Sequence, residues 1–168
     1  MTLLRPLYLV SVWLHILSAI TWIGGMVFLM LVLVPLTRTP ELRPRAADLF
    51  HLIGMRFRLV GWIALVTLVV TGTFQVTMRG FTLAQLFTGR AFVGHWGATL
   101  ALKLAFVATI VVLSAIHDFW LGPRATRLAR TGAPAAEREK WRRVASAMGR
   151  TTFALALAVV GLAVTLVR

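Results

Sequence analysis

The groups in this chain that could do chemistry are four histidines, six methionines and one lysine, Lys103, set inside an apolar run. His51-x-x-x-Met55 and Met26-x-x-x-Met30 each place two soft donors one turn apart on a helix face, and imidazole with thioether is a donor set that suits a cuprous ion. Together with the remaining histidines they give a candidate metal-ligand set of His15, Met26, Met30, His51, Met55, His95 and His117. A second chemistry is open to the same residues. A haem b needs two axial donors on facing helices and cations near its propionates, which His15, His95, Arg90 and Lys103 could supply. His95 and His117 lie roughly 33 Å apart along a helix, too far to serve one haem. Plain structural roles stand beside both readings: methionine fills irregular packing gaps, a surface histidine is solvated, and a lysine near a membrane face snorkels.

What must position these residues is a set of apolar helices. The run 8–36 carries no charged side chain and is long enough to cross the ~30 Å hydrocarbon core of a bilayer. With His15 at zero on a helical wheel, Trp22 and Met26 each fall within about 20°, so one stripe carries an imidazole, an indole and a thioether. Gly24 and Gly25 beside it are expected to leave a notch for another backbone. The run is about twice a signal-peptide core, so it is expected to remain as a helix.

Three further spans follow, at about 59–78, 96–120 and 151–167. In the second, Thr67, Thr71 and Gln75 recur at i, i+4 spacing and should face protein, because lipid cannot satisfy them. Between the second and third, Thr82 and Gly89 bracket a short interfacial helix. Gly122-Pro123 is expected to break the third span, and adjacent residues such as His117 and Asp118 are not expected to face each other on a helix. No internal repeat is evident. The fold class is therefore all-α, an integral membrane four-helix bundle forming a single domain over 1–168.

Composition agrees: 59% of the 168 residues are hydrophobic, 14% are charged, and mean hydropathy is +0.85. No cysteine is present, which removes disulfides and thiolate metal sites. The net charge of +13 would suggest nucleic acid in a soluble protein, but its distribution argues for topology instead. Arg38, Arg43, Arg45, Arg56 and Arg58 fall in the connection 37–58, and Arg124, Arg127, Arg130, Arg138, Lys140, Arg142, Arg143 and Arg150 in 121–150. Only Arg5, Arg79, Arg90 and Arg168 fall on the other side. Both basic connections are thus expected in the cytoplasm and both termini outside, with the basic residues meeting anionic membrane lipids and no nucleic-acid partner.

The segments WLHILSAITWIGGMVFL (13–29), FRLVGWIALVTLVVTG (57–72), the isolated Lys103 and HDFWLGPRA (117–125) together resemble the copper-resistance D (CopD) family of bacterial inner-membrane proteins. The resemblance implies a four-helix unit engaged in copper import or homeostasis, with a periplasmic copper-binding protein as a candidate partner. A more distant similarity, through the N-terminal histidine and a lysine in a later helix, is to HemJ-type haem-binding membrane proteins. Copper handling, haem binding for electron transfer or porphyrin oxidation, and a metal-free role in assembly are the three functions carried forward. A homo-oligomer is compatible with all of them. Enzymatic activity stays open with a non-enzymatic role expected, since no Ser-His-Asp set shares a common depth.

Overall fold

The computed structural model describes residues 4–166, so the expected end of the fourth span at Val167, and Arg168, lie outside the described residues. Four long helices, Leu4–Leu36, Arg43–Met78, Gly94–Arg130 and Ala135–Thr165, are each apolar and long enough to cross a membrane. Among the described residues there are no strands. Leu31 is 71% exposed and Leu59 62%, as expected of side chains that meet lipid rather than water.

Both odd-numbered helices contain a π turn. The first spans Leu29–Leu33 and the second His117–Leu121. Each lies just ahead of a proline, and the residue before that proline closes the turn: Val34 N–H donates to the Leu29 carbonyl, and Gly122 N–H to the His117 carbonyl. Pro35 and Pro123 lack the N–H an α-helix needs, and their rings crowd the carbonyl four residues back. Widening the preceding turn accommodates both defects without ending the helix. Gly122-Pro123 therefore widens the third helix instead of breaking it, and the chain stays helical to Arg130.

The shift that carries Leu29 onto His117 also carries His15 onto Lys103, Trp22 onto Ile110, Leu33 onto Leu121 and Ala64 onto Thr152. The last three pairs are all buried. The chain is thus two similarly oriented helical hairpins, each built as span, π turn, proline, basic connection and return span. Identity between the halves is low, so the repetition lives in burial and backbone shape.

The two hairpins meet around one core. Trp22, Ala64, Leu65, Ile110 and Ala156, one or two from each long helix, form it, with Met26, Leu68 and Val159 packed alongside. Within the first hairpin, Gly25 admits the Phe57 ring so closely that a Cβ there would overlap it. Gly24 faces open space and takes no part in the expected notch. At the basic end, Arg130 pairs with Asp48 across the hairpins at 3.3 Å, and Arg124 lies over the Trp141 ring at 4.3 Å. At the opposite end, Thr82 and Gln85 form a reciprocal cap on the short helix Leu83–Phe87, and Gly89 takes a left-handed φ of 78° just beyond it. Phe81 stacks on Trp96 at 5.2 Å, and the Trp96 indole donates to the Leu166 carbonyl.

Candidate functional site

The first site is the seat of His15. Its Nδ1 lies 2.8 Å from the Thr71 hydroxyl, which donates its own proton to the Thr67 carbonyl at 2.5 Å. A hydroxyl has one proton to give, so Thr71 accepts from His15 and the ring carries its hydrogen on Nδ1. Nε2 is left as the basic nitrogen. Gly72 makes the seat: a Cβ there would stand 3.2 Å from His15 Cε1. Around it, Ser11 donates to the Thr71 carbonyl and Gln75 to the Ser11 carbonyl, at 3.4 and 3.5 Å. Thr71 and Gln75 thus face protein as their spacing suggested, whereas the Thr67 hydroxyl folds back onto Ile63 of its own helix.

Lys103 is half-buried within the third long helix, in the other hairpin from His15. Among the described residues it forms no ion pair. His95 is exposed at the start of the third long helix, and Arg90 is exposed in the short turn before it.

The second site is a cavity of about 1710 Å³ at the basic end of the bundle. Met26 and Met30 of the first long helix, His51 and Met55 of the second and His117 of the third all line it. Five of the seven candidate metal donors are therefore brought to one space, while His15 and His95 are not among its lining. Among the described residues no three His, Cys, Asp or Glu side chains converge as a metal site, so whatever softness the cavity offers comes from thioether combined with imidazole.

The π turn gives His117 a partner that a regular helix would deny it. His117 Nδ1 lies 3.0 Å from Asp118 Oδ1, although the two are neighbours in sequence. The other carboxylate oxygen accepts from the Trp62 indole at 3.1 Å. Both oxygens of Asp118 are thus taken, one by an imidazole and the other by an indole. Trp62 also packs on Phe119, with ring centroids 5.5 Å apart, and Arg58 lies over the far partner of that pair. The sequence singled out His117 but gave no sign that Trp62 would join it.

A four-helix, multi-pass membrane protein with soft donors gathered at its basic end is the class that the fold and site define. The family model described as copper resistance protein D matches residues 51–166, and the chain belongs to that family. It is also 32% identical over 127 residues to an uncharacterized protein of Aquifex aeolicus (strain VF5), covering 74% of this chain and 76% of the relative. No solved structure matches the chain.

Proposed function

We propose that this protein handles copper, taking a cuprous ion as substrate at the basic end of the bundle for import or homeostasis across the bacterial inner membrane. The observation that supports this reading is the gathering of Met26, Met30, His51, Met55 and His117, from three helices, onto one cavity. Thioether and imidazole are neutral donors matched to a soft monovalent ion, and three helices supply enough of them for the two- to four-coordinate binding that such an ion accepts. Under the positive-inside rule this cavity opens to the cytoplasm. His15, with Nε2 free, stands deeper on the same helix as Met26 and Met30, on the route from the other face; His95 at that face is the first donor an external ion would meet.

The test is competition for Cu(I) between the purified protein and a chromophoric chelator, together with copper accumulation in cells. Retention of Cu(I) that falls at least about tenfold in Met26→Leu/Met30→Leu and in His51→Ala is the expected result. Unchanged retention and unchanged cellular copper in both variants would overturn the proposal.

The seat of His15 favours a second reading, a haem b bound towards the other end. A histidine whose Nδ1–H is already engaged presents Nε2 in a fixed direction, as axial ligands do, and Lys103, half-buried and without an ion pair among the described residues, would suit a propionate. A reduced-minus-oxidised spectrum of protein from haem-replete cells decides it: sharp Soret and α bands that vanish in His15→Ala support haem, and a flat spectrum removes it.

A further inference from the structure

The cavity that holds the soft donors is also the most basic part of the molecule, and the copper reading does not use that charge. Arg38, Arg43, Arg127, Arg138 and Arg150 line it, and among the described residues none of the five forms an ion pair. The acids in its wall are Asp118 and Glu139. Asp118 is held by His117 and Trp62, and Glu139 by Arg142 at 2.8 Å and Arg143 at 2.5 Å. Several unmatched guanidinium groups facing one space repel one another and call for an anion.

The inner wall is of the opposite character. Trp22 of the hydrophobic core and Met26 packed alongside that core line it together with Leu29 and Leu33. Thr152 lines it as well, 5% exposed and with a hydroxyl that has no hydrogen-bond partner. An occupant that satisfies both parts carries negative charge at one end and hydrocarbon at the other. Inorganic phosphate or a nucleotide would leave the apolar wall unmet, and an acidic protein segment could not follow the cavity down among Trp22 and Leu33.

We propose that this cavity binds an anionic phospholipid, its phosphate held by the guanidinium rim and an acyl chain lying against the Met26–Leu33 wall. Basic pockets between membrane helices are known to take such headgroups by this combination of charge and depth. The lipid supplies the counter-charge that the acids of the chain do not. It also gives the cavity a second use: a bound phosphate offsets the positive field that would otherwise oppose a cuprous ion near His51 and His117.

The experiment uses the full-length protein in neutral detergent, metal-free, stripped of lipid and then titrated with cardiolipin, phosphatidylglycerol or phosphatidylcholine. Thermal stability and native mass spectrometry are the readouts. The expected result is stabilisation and retained lipid with the anionic species and neither with phosphatidylcholine. Affinity should drop about a hundredfold in Arg38→Gln/Arg127→Gln/Arg150→Gln. The matched control, Arg5→Gln/Arg45→Gln/Arg56→Gln, has the same charge loss at residues that do not line the cavity and should bind as the parent does. Circular dichroism checks that both triples fold, and the single variant Arg150→Gln, expected to lose about fivefold, replaces the first triple if it does not. Equal binding by phosphatidylcholine, equal loss in the control, or stabilisation by inorganic phosphate alone at the same concentration would overturn the proposal. Lipid is scored on arginine variants without metal and copper on methionine and histidine variants, so failure of one reading leaves the other standing.

Discussion

His15 donates its Nδ1 proton to the hydroxyl of Thr71, 2.8 Å away on the neighbouring helix, because that hydroxyl has already given its own proton to Thr67. The relation fixes a tautomer inside a membrane protein by counting protons, and it leaves one nitrogen of His15 free. Gly72 gives the ring room, since a Cβ there would stand 3.2 Å from Cε1 and the imidazole would have to give by a few tenths of an ångström.

Thr71→Val should therefore cost about 1–2 kcal/mol of stability, because His15 then buries a donor without an acceptor while the isosteric methyl keeps the packing. Thr71→Ser should recover most of the loss. Thermal unfolding in detergent reads both, and Gly72→Ala should fall with Thr71→Val because its Cβ would meet the imidazole at 3.2 Å. Equal stability of Thr71→Val and the parent would mean that the hydrogen bond does not hold the ring.

The two neighbouring glycines of the first helix should separate cleanly. Gly25→Ala sets a methyl against the Phe57 ring and should destabilise by about 1–3 kcal/mol, the range for overpacking. Gly24→Ala meets nothing within 4 Å and should be neutral or slightly stabilising, since alanine favours helix over glycine. Adding Phe57→Leu to Gly25→Ala should restore much of the loss, and a double variant no better than the single would show that the clash lies elsewhere.

Much of this molecule is readable in its residues, and what is not readable has an identifiable cause. Four charge-poor runs declare four helices because a bilayer admits few alternatives. The Thr82 and Gly89 brackets gave the short interfacial helix for a similarly local reason. Gly122-Pro123 reads as a stop, yet a π turn absorbs the proline, and hydropathy carries no mark of one extra residue in a turn. The same turn brings His117 and Asp118 face to face, against the rule for regular helices. The gathering of Met26, Met30, His51, Met55 and His117 on one cavity depends on how the hairpins pack, which no single segment encodes. The paired architecture of the hairpins leaves little trace in the residue types, because burial matches between Trp22 and Ile110, or Ala64 and Thr152, where identity does not.

Asp118 gives the copper reading a test away from the donors themselves. It fixes His117 through Nδ1 and is itself fixed by Trp62. Removing such a partner from a ligating histidine lowers metal affinity by about 10–100-fold. Asp118→Ala should weaken Cu(I) retention by that order, and Trp62→Phe by less, since His117 keeps the carboxylate. Chelator competition measures both; full retention in Asp118→Ala would take His117 out of the site.

A π turn holds one residue more than the α-helical turn it replaces, so the His117–Leu121 segment can lose a residue without disturbing what lies on either side. Phe119 is the one to remove, being 61% exposed. Deleting it converts the turn to regular α-helix while Ile110 and Arg124 keep their facing, and Ile110 is part of the core that joins the hairpins. Deleting Val112, equally exposed but within regular helix, instead rotates everything beyond it by about 100° and turns the buried Leu121 face outward. The Phe119 deletion should fold with a modest loss, drawn from its contact with Trp62 and the strain at Pro123, and should lose the His117–Asp118 pairing. Thermal unfolding and membrane yield would compare the two variants, and equal damage from both would show that the π turn is not a removable insertion. If the Phe119 deletion folds but no longer retains Cu(I), the wide turn serves the site and not merely the proline. Its repetition ahead of Pro35, beside Met30, would then have the same use.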